Sequence, residues 1–530
     1  MKKPKLALIP SGYGDGKLYS VMPTNGSGDF TFSRGSGATR INKDGLIETM
    51  TEKLGDELVT NGYFSADSDW TKVDGSTISG GLANINGTVT GGKLTQSGIL
   101  TVGRPYKVTF TISNYVSGSI TLSGVSTSVN FNSDGSFVVY GNGTTVNFAI
   151  YSNTTNAVLS IDNVSVKEVL SGLDTPRLEY PMIDGVVSGC PSLLLEPSRT
   201  NLVAYSEAFD NAYWTKGGAS VVSDAAISPD GSLNAFKLVE DIANSQHYLQ
   251  RQGFAVSANK YSYSLFAKKG GRNKIRLFLS NYFTSGTNAI FDLENGTVVS
   301  TGTEATATIT LMTDGFYKCT ITSVSNAIAG SNAFCEVFLV NDSDANTYTG
   351  DGTSGVYIYG AQVEQGSYPT SYIKSNSGSA TTRSAETANG AGDASTFNDS
   401  EGVLMVEISA NANDSSLRAI TLGDNSSSNA VSIRYDNPNQ ITLYLNSGGA
   451  NQFSTAANVQ TLSFNKCLIK YKANDFSAWV NGFEIGVDSS GITFPSGTLD
   501  RINFDIGYTS SNPFYGKTKQ IQYFQTALTD

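Results

Sequence analysis

The chain has 530 residues, including 55 Gly, 26 Tyr and 26 Phe; only 15% are charged, and the net charge is −11 at pH 7. That length exceeds a single core and predicts about three or four domains of ~100–200 residues each. The acidic balance argues against nucleic-acid binding, which needs clustered Lys and Arg, and no apolar run approaches the ~20 residues of a membrane-spanning helix.

Long stretches of Ser, Thr, Asn, Val and aromatics are the composition of short strands and polar turns, so the expected class is all-β: tandem antiparallel sandwiches behind an irregular N-terminal segment. Lys2, Lys3 and Lys5 are followed only by Leu6-Ala7-Leu8-Ile9 before Pro10, too short for a secretory signal, so assembly inside a cell and release by lysis are expected. Cys190, Cys319, Cys335 and Cys467 are too scattered for a disulfide framework; buried thiols are expected, and only Cys319 and Cys335 could face each other across a hairpin.

In chain order, residues 1–56 are Gly-rich and poorly periodic, with short apolar pieces such as Phe30-Thr31-Phe32 and an Asp44-Gly45 turn. They cannot bury a core alone, so they are expected to order against a partner as an attachment segment. Residues 57–170 alternate strongly: Tyr106, Val108 and Phe110 form one face, and Ile161 to Val166 a closing strand, as in a sandwich of seven or eight strands. Residues 171–200 form a Pro-rich connector with three consecutive leucines, Leu193 to Leu195, between Pro191 and Pro197; this reads as a short buried strand pinned at both ends.

Residues 201–375 repeat the first module. Asn61-Gly62-Tyr63-Phe64 leading to Trp70-Thr71-Lys72 is echoed by Asn201 through Phe209 leading to Trp214-Thr215-Lys216, and Ile358 to Glu364 matches Ile161 to Lys167. Residues 376–400 (NSGSATTRSAETANGAGDASTFNDS) hold almost nothing to bury and read as a linker, the most protease-sensitive stretch, with Arg383 in the open. Residues 401–530 carry further strands, among them Val403 to Ile408 and Ser477 to Val480 running into the Asn481-Gly482 turn, and are expected to fold independently.

Asn61-Gly62-Tyr63-Phe64 with Trp70 and the closing strand resembles a jelly-roll carbohydrate-binding module, as does the second module. The stretch from Gly360 to Ile373 is similar to endings in bacteriophage fibre proteins. SRGSGATRINKDGLIE and CPSLLLEPSRTNL resemble segments of tailed-phage structural proteins. Residues 401–530 resemble the laminin-G or concanavalin-A-like lectin superfamily through Lys470-Tyr471, Ala478 to Gly482, Ile521 to Phe524 and Ala527 to Asp530.

These resemblances imply a non-enzymatic virion protein, a fibre or appendage that adheres to host-surface polysaccharide. It would be held to other virion proteins through residues 1–56, and expected as a homotrimer held mainly by its N-terminal half. A decoration or cement protein without glycan binding, and a polysaccharide depolymerase, are the alternatives.

For chemistry, His247 is the only histidine, which leaves little room for zinc or triad chemistry and reads as a surface or strand-edge residue. Glu179, Glu196, Asp351 and Glu364 are unmarked carboxylates, so no catalytic pair is assigned. Sugar binding would use aromatic faces beside Asn, Asp and Gln; the candidates are Trp214, Tyr248, Tyr282 and Phe283, with Trp214 also readable as core. The carbohydrate-binding-module resemblance implies a structural Ca2+ held near Asn61 and Asp162, oxygen ligands suiting a hard cation.

Overall fold

The computed structural model describes every residue except 1–2, 15, 51–52, 74, 87–91, 128, 155, 172, 188, 377, 508–511 and 528–530, so Leu528 to Asp530, three of the residues that carried the expected lectin resemblance, lie outside the described residues. Strands dominate, and the one helical element among the described residues is a 3-10 turn at Thr313–Gly315. The all-β expectation is met. The chain divides into two compact units, Thr51–Gly172 and the pair Met1–Met50 with Leu173–Asp530.

Unit Thr51–Gly172 is an antiparallel sandwich. One sheet runs Gly135–Asn142, Pro105–Ser117, Val158–Ser171, Leu82–Asn86, Ser76–Ser79, with Lys53–Glu57 also on Val158–Ser171; the other runs Ile120–Ser123, Phe148–Ser152, Lys93–Gln96, Thr71–Val73. Strict alternation forms the long strand. Tyr106, Val108, Phe110 and Ile112 face a core shared with Leu94, Phe148 and Ile150, while Lys107, Thr109 and Thr111 face away. Each such buried side chain contributes ~1.5–3 kcal/mol.

The larger unit contains a second sandwich of two six-stranded sheets. One is ordered Thr215–Gly217, Tyr248–Val256, Gly330–Val340, Lys274–Ser280, Asn288–Asp292, Thr297–Thr301. The other is ordered Ala219–Ile227, Leu233–Glu240, Gly355–Gln365, Tyr261–Gly270, Tyr317–Ser323, Ala305–Leu311. Its C-terminal portion packs Gln440–Ser447 and its neighbours against an eight-stranded sheet centred on Glu401–Ala410 and Gly516–Phe524.

The Trp repeat has a physical basis. Trp70 Nε1 donates to Asn61 O (3.1 Å) and Trp214 Nε1 to Tyr205 O (2.9 Å), nine residues upstream in both cases. Each indole also leans on a phenylalanine, Phe64 at 5.4 Å and Phe209 at 5.2 Å between ring centres.

The N-terminal attachment segment, the connector and the linker differ from their sequence readings. Residues 1–50 do not wait for a partner. Leu6–Leu8 pairs with Gly516–Phe524, and Leu6, Leu8, Leu18, Phe30 and Phe32 enter the core of the C-terminal sandwich. The connector strand Ser192–Leu195 is fully buried and pairs with the same strand, Leu193 opposite Thr518.

The 376–400 stretch is no linker: Thr381–Arg383 pairs with Arg199–Asn201, and Thr387–Asn389 pairs with Phe30–Ser33. Its low apolar content misleads because it is held by charge and backbone pairing. Arg383 and Glu386 are completely buried and join Arg34, Arg177 and Glu196: Glu386 Oε1 accepts from Arg177 Nε (2.8 Å) and Arg34 Nη1 (3.1 Å), and Glu196 Oε2 sits 2.8 Å from Arg383 Nη1 and 2.9 Å from Arg177 Nη2. Limited trypsinolysis is accordingly expected to spare Arg383, which a protease cannot reach without local unfolding. Early cleavage at Arg383 in a timed digest read by mass spectrometry would contradict this packing.

Cys319, Cys335 and Cys467 are buried free thiols, whereas Cys190 is exposed. Cys319 and Cys335 lie on strands of opposite sheets, not across one hairpin.

Candidate functional site

The second sandwich turns an unusual face to solvent. On Lys274–Ser280, Ile275, Leu277 and Leu279 point into the core, so Arg276 and Phe278 point out. By the same alternation Gly330–Val340 presents Phe334, Glu336 and Phe338, and Tyr248–Val256 begins by presenting Tyr248 and Gln250.

Register assembles these into two rows. One is Tyr248, Phe338, Arg276 and Ile290; the other is Gln250, Glu336, Phe278 and Asn288. The Tyr248 and Phe338 rings are 5.3 Å apart and tilted, and the Arg276 guanidinium lies 5.1 Å from the Phe278 ring centre. Tyr248 gains its place from Gly217 on the edge strand, where a Cβ would fall 2.3 Å from the ring.

The polar members are wired together. Gln252 Nε2 donates to Gln250 Oε1, Gln250 Nε2 to Glu336 Oε1, and Ser280 Oγ to Glu336 Oε2 at 2.8 Å. Arg276 Nε donates to Asn288 Oδ1 at 3.1 Å. Burial pushes the Glu336 carboxyl up, against the pull of Ser280 and Gln250. The result is a shallow floor of Phe338 and Glu336, both under a tenth exposed, rimmed by half-buried Tyr248, Arg276, Phe278 and Asn288. It offers apolar ring faces beside amide, guanidinium and carboxylate groups at one level.

Of the four sugar candidates, only Tyr248 stands on this face. Trp214 is core, 2% exposed. Phe283 is 7% exposed and packs edge-on against Tyr261 at 5.6 Å. Tyr282 lies against Gly330 and the core, not free in a loop. Phe278, Phe338 and Arg276 were missed, although the alternating KIRLFLS stretch carries the signal: an aromatic among the outward polar positions of an otherwise regular strand.

The implied calcium ligands are not brought together. The Asn61 side chain closes its own loop, accepting from Ser65 N (2.9 Å) and donating to Ala66 O (2.7 Å), while Asp162 Oδ1 accepts from Asn163 N (2.7 Å). A hollow of about 340 Å³ beside Asn61 is lined by Glu57, Tyr63 and Asn163 but not by Asp162. Among the described residues no three His, Cys, Asp or Glu converge.

His247 is completely buried rather than at a surface, its Nδ1 2.6 Å from Gly218 O and its Nε2 3.1 Å from Tyr348 O. The unmarked carboxylates are all engaged: Glu179 with Lys517 (2.9 Å), Glu364 with Thr370 Oγ1 (2.7 Å), Asp351 with its own turn through Ser354 N (2.6 Å), and Glu196 in the arginine network.

No family model and no curated protein matches the sequence. Among solved structures, the chain is similar to the CBM40 module of a Ruminococcus gnavus sialidase bound to α2,3-sialyllactose, at 13% identity over 27% of this chain and 89% of that one, TM-score 0.23. It is also similar to the tandem CBM22 modules of Paenibacillus barcinonensis Xyn10C, at 13% identity over 59% and 98%, TM-score 0.30. A third is mouse laminin α1 domains LG4-5, at 9% identity over 67% of this chain and 97% of that one, TM-score 0.19.

Proposed function

We propose that this chain is a non-enzymatic glycan-binding protein whose sugar site is the outer face formed by Tyr248, Phe338, Arg276, Phe278, Glu336 and Asn288. The observation that carries this reading is the pairing of aromatic faces with hydroxyl-recognising groups on one solvent-facing sheet. A sugar ring presents C–H faces to aromatic rings and equatorial hydroxyls to amides and guanidinium. Completely apolar or completely charged faces would not suit it. More particularly, the chain serves as an appendage of a tailed-phage virion that adheres to host-surface polysaccharide, a role supported by the phage-like stretches around Gly35 and Cys190 and multiplied by copy number in an oligomer, a trimer. Because residues 3–50 are engaged with the rest of their own unit, attachment to other virion proteins would use folded surfaces and not a free strap.

Titration of the full chain against bacterial surface polysaccharides, preceded by a glycan array, tests the reading. Tyr248→Ala and Phe278→Ala are each expected to weaken binding about tenfold or more, as loss of a central aromatic anchor does, while Trp70→Phe in the other unit leaves it unchanged. If the unmodified chain binds no glycan, the adhesive role fails and an architectural role stands in its place. The trimer is checked separately by light scattering at tens of micromolar.

A further inference from the structure

One hollow of the Met1–Met50 and Leu173–Asp530 unit is not on a sheet face. A cavity of about 500 Å³ lies where five segments meet: the N-terminal hairpin at Ile41, the connector at Glu179, the second sandwich at Lys318, the stretch after it at Thr370, and the C-terminal sandwich at Phe464 and Lys517. Its walls are mixed. Phe266, Phe464 and Leu194 supply apolar surface. Tyr180, Thr310 and Asn411 supply polar groups to the same walls.

Charge decides what such a cavity holds. The buried network behind it sets three arginines, Arg34, Arg177 and Arg383, against two carboxylates, Glu196 and Glu386. Glu364 faces Arg199 at 3.8 Å and Glu179 faces Lys517 at 2.9 Å, so those pairs cancel. Lys318 then adds a second uncancelled positive charge. Its Nζ has one hydrogen bond, to Thr370 O at 2.9 Å, and no described carboxylate reaches ion-pair distance. Burial lowers its pKa, and Glu364, Glu196 and Glu179 act only at longer range. In a chain of net charge −11 this is a locally cationic hollow with an ammonium that has two protons to spare.

We propose that this cavity is a binding site for a small sugar acid, its carboxylate paired with Lys318 Nζ, its hydroxyls on Tyr180, Thr310 and Asn411, and its carbon skeleton against Phe266 and Phe464. A monocarboxylate matches a single ammonium, and charge-assisted hydrogen bonding in a partly dry site is the strong kind. The site is separate from the Tyr248 face and does not rest on the glycan reading.

The test is calorimetric titration of the full chain with sodium glucuronate, glucose and inorganic phosphate. Glucuronate is expected to bind and to raise the melting temperature, with glucose and phosphate at least tenfold weaker. Lys318→Met, close in volume but uncharged, is expected to weaken glucuronate about tenfold or more, whereas Tyr248→Ala leaves it unchanged. Should Lys318→Met lose its near-UV circular dichroism, Leu462→Trp serves instead: Leu462 is 62% exposed at the rim and outside the ion network, and the bulkier ring is expected to obstruct entry. No glucuronate binding by the unmodified chain, equal binding of glucose or phosphate, or full binding by a folded Lys318→Met or Leu462→Trp chain overturns the proposal.

Discussion

Replacing Glu386 with alanine is expected to destabilise the larger unit by about 3–5 kcal/mol, the cost of stripping one partner from a buried ion network. Both its oxygens are in use: Oε1 accepts from Arg34 and Arg177, and Oε2 from Arg177 Nη2 and from Glu196 N at 2.9 Å. Alanine leaves those guanidinium groups buried with one carboxylate, Glu196, among three arginines. Against ~5–15 kcal/mol of total stability, that is a large share. An unfolding free energy from guanidinium-chloride titration within a few tenths of a kcal/mol of the unmodified chain would show the network to be ornamental.

The same cluster sets a pH response. Burial opposes ionisation of Glu196, but Arg383 and Arg177 outweigh it and hold the carboxyl well below the usual range. Its folded pKa is therefore depressed below the unfolded value. The stability it contributes is complete above about pH 4.5, the ordinary carboxylate range, and drains as pH falls through the folded pKa. Unfolding midpoints measured from pH 6 to pH 3 are expected to fall more steeply for the unmodified chain than for Glu196→Gln.

How much of this was legible in the sequence depends on the range of the interactions. Alternation over Pro105–Ser117 and the leucine run at Leu193 to Leu195 announced buried strands, because period and flanking prolines are local. The Trp70 and Trp214 echo announced a repeated corner for the same reason. The 376–400 stretch could not be read this way. Arg383 and Glu386 sit among Ser, Thr and Ala with no local period, and the groups that bury them are far off in sequence: Arg177 lies 209 residues from Glu386 and Arg34 lies 352. A charged residue in a polar stretch looks solvated until its partners are in place.

The candidate face around Tyr248 divides similarly. Tyr248 was visible as an aromatic among polar residues, and Phe278 was visible in principle from its strand's alternation. Their meeting through Phe338 and Glu336 depends on a strand that joins them only by long-range register.

Removing residues 1–50 is expected to abolish cooperative folding of the C-terminal sandwich, and residues 401–530 expressed alone are expected to be insoluble or molten. Leu6, Leu8, Leu18, Phe30 and Phe32 are each at most 2% exposed within that sandwich's core, and Phe30 meets Phe504 edge-on at 5.2 Å. At ~1.5–3 kcal/mol for each fully buried side chain, the five together rival the ~5–15 kcal/mol that holds a domain.

The loss is not only apolar area. Leu6–Leu8 and Ser192–Leu195 cover one edge of Gly516–Phe524, opposite Leu6↔Tyr523 and Leu193↔Thr518, so truncation also bares an unpaired strand edge beside exposed leucine sockets. A graded version avoids total collapse: Phe30→Ala in the full chain is expected to cost about 3–5 kcal/mol, and Phe30→Leu markedly less. A 401–530 fragment that melts in a single sharp transition and gives a dispersed amide spectrum would sink this account. It would return the N-terminal residues to the role their sequence suggests, a segment that orders only against something else.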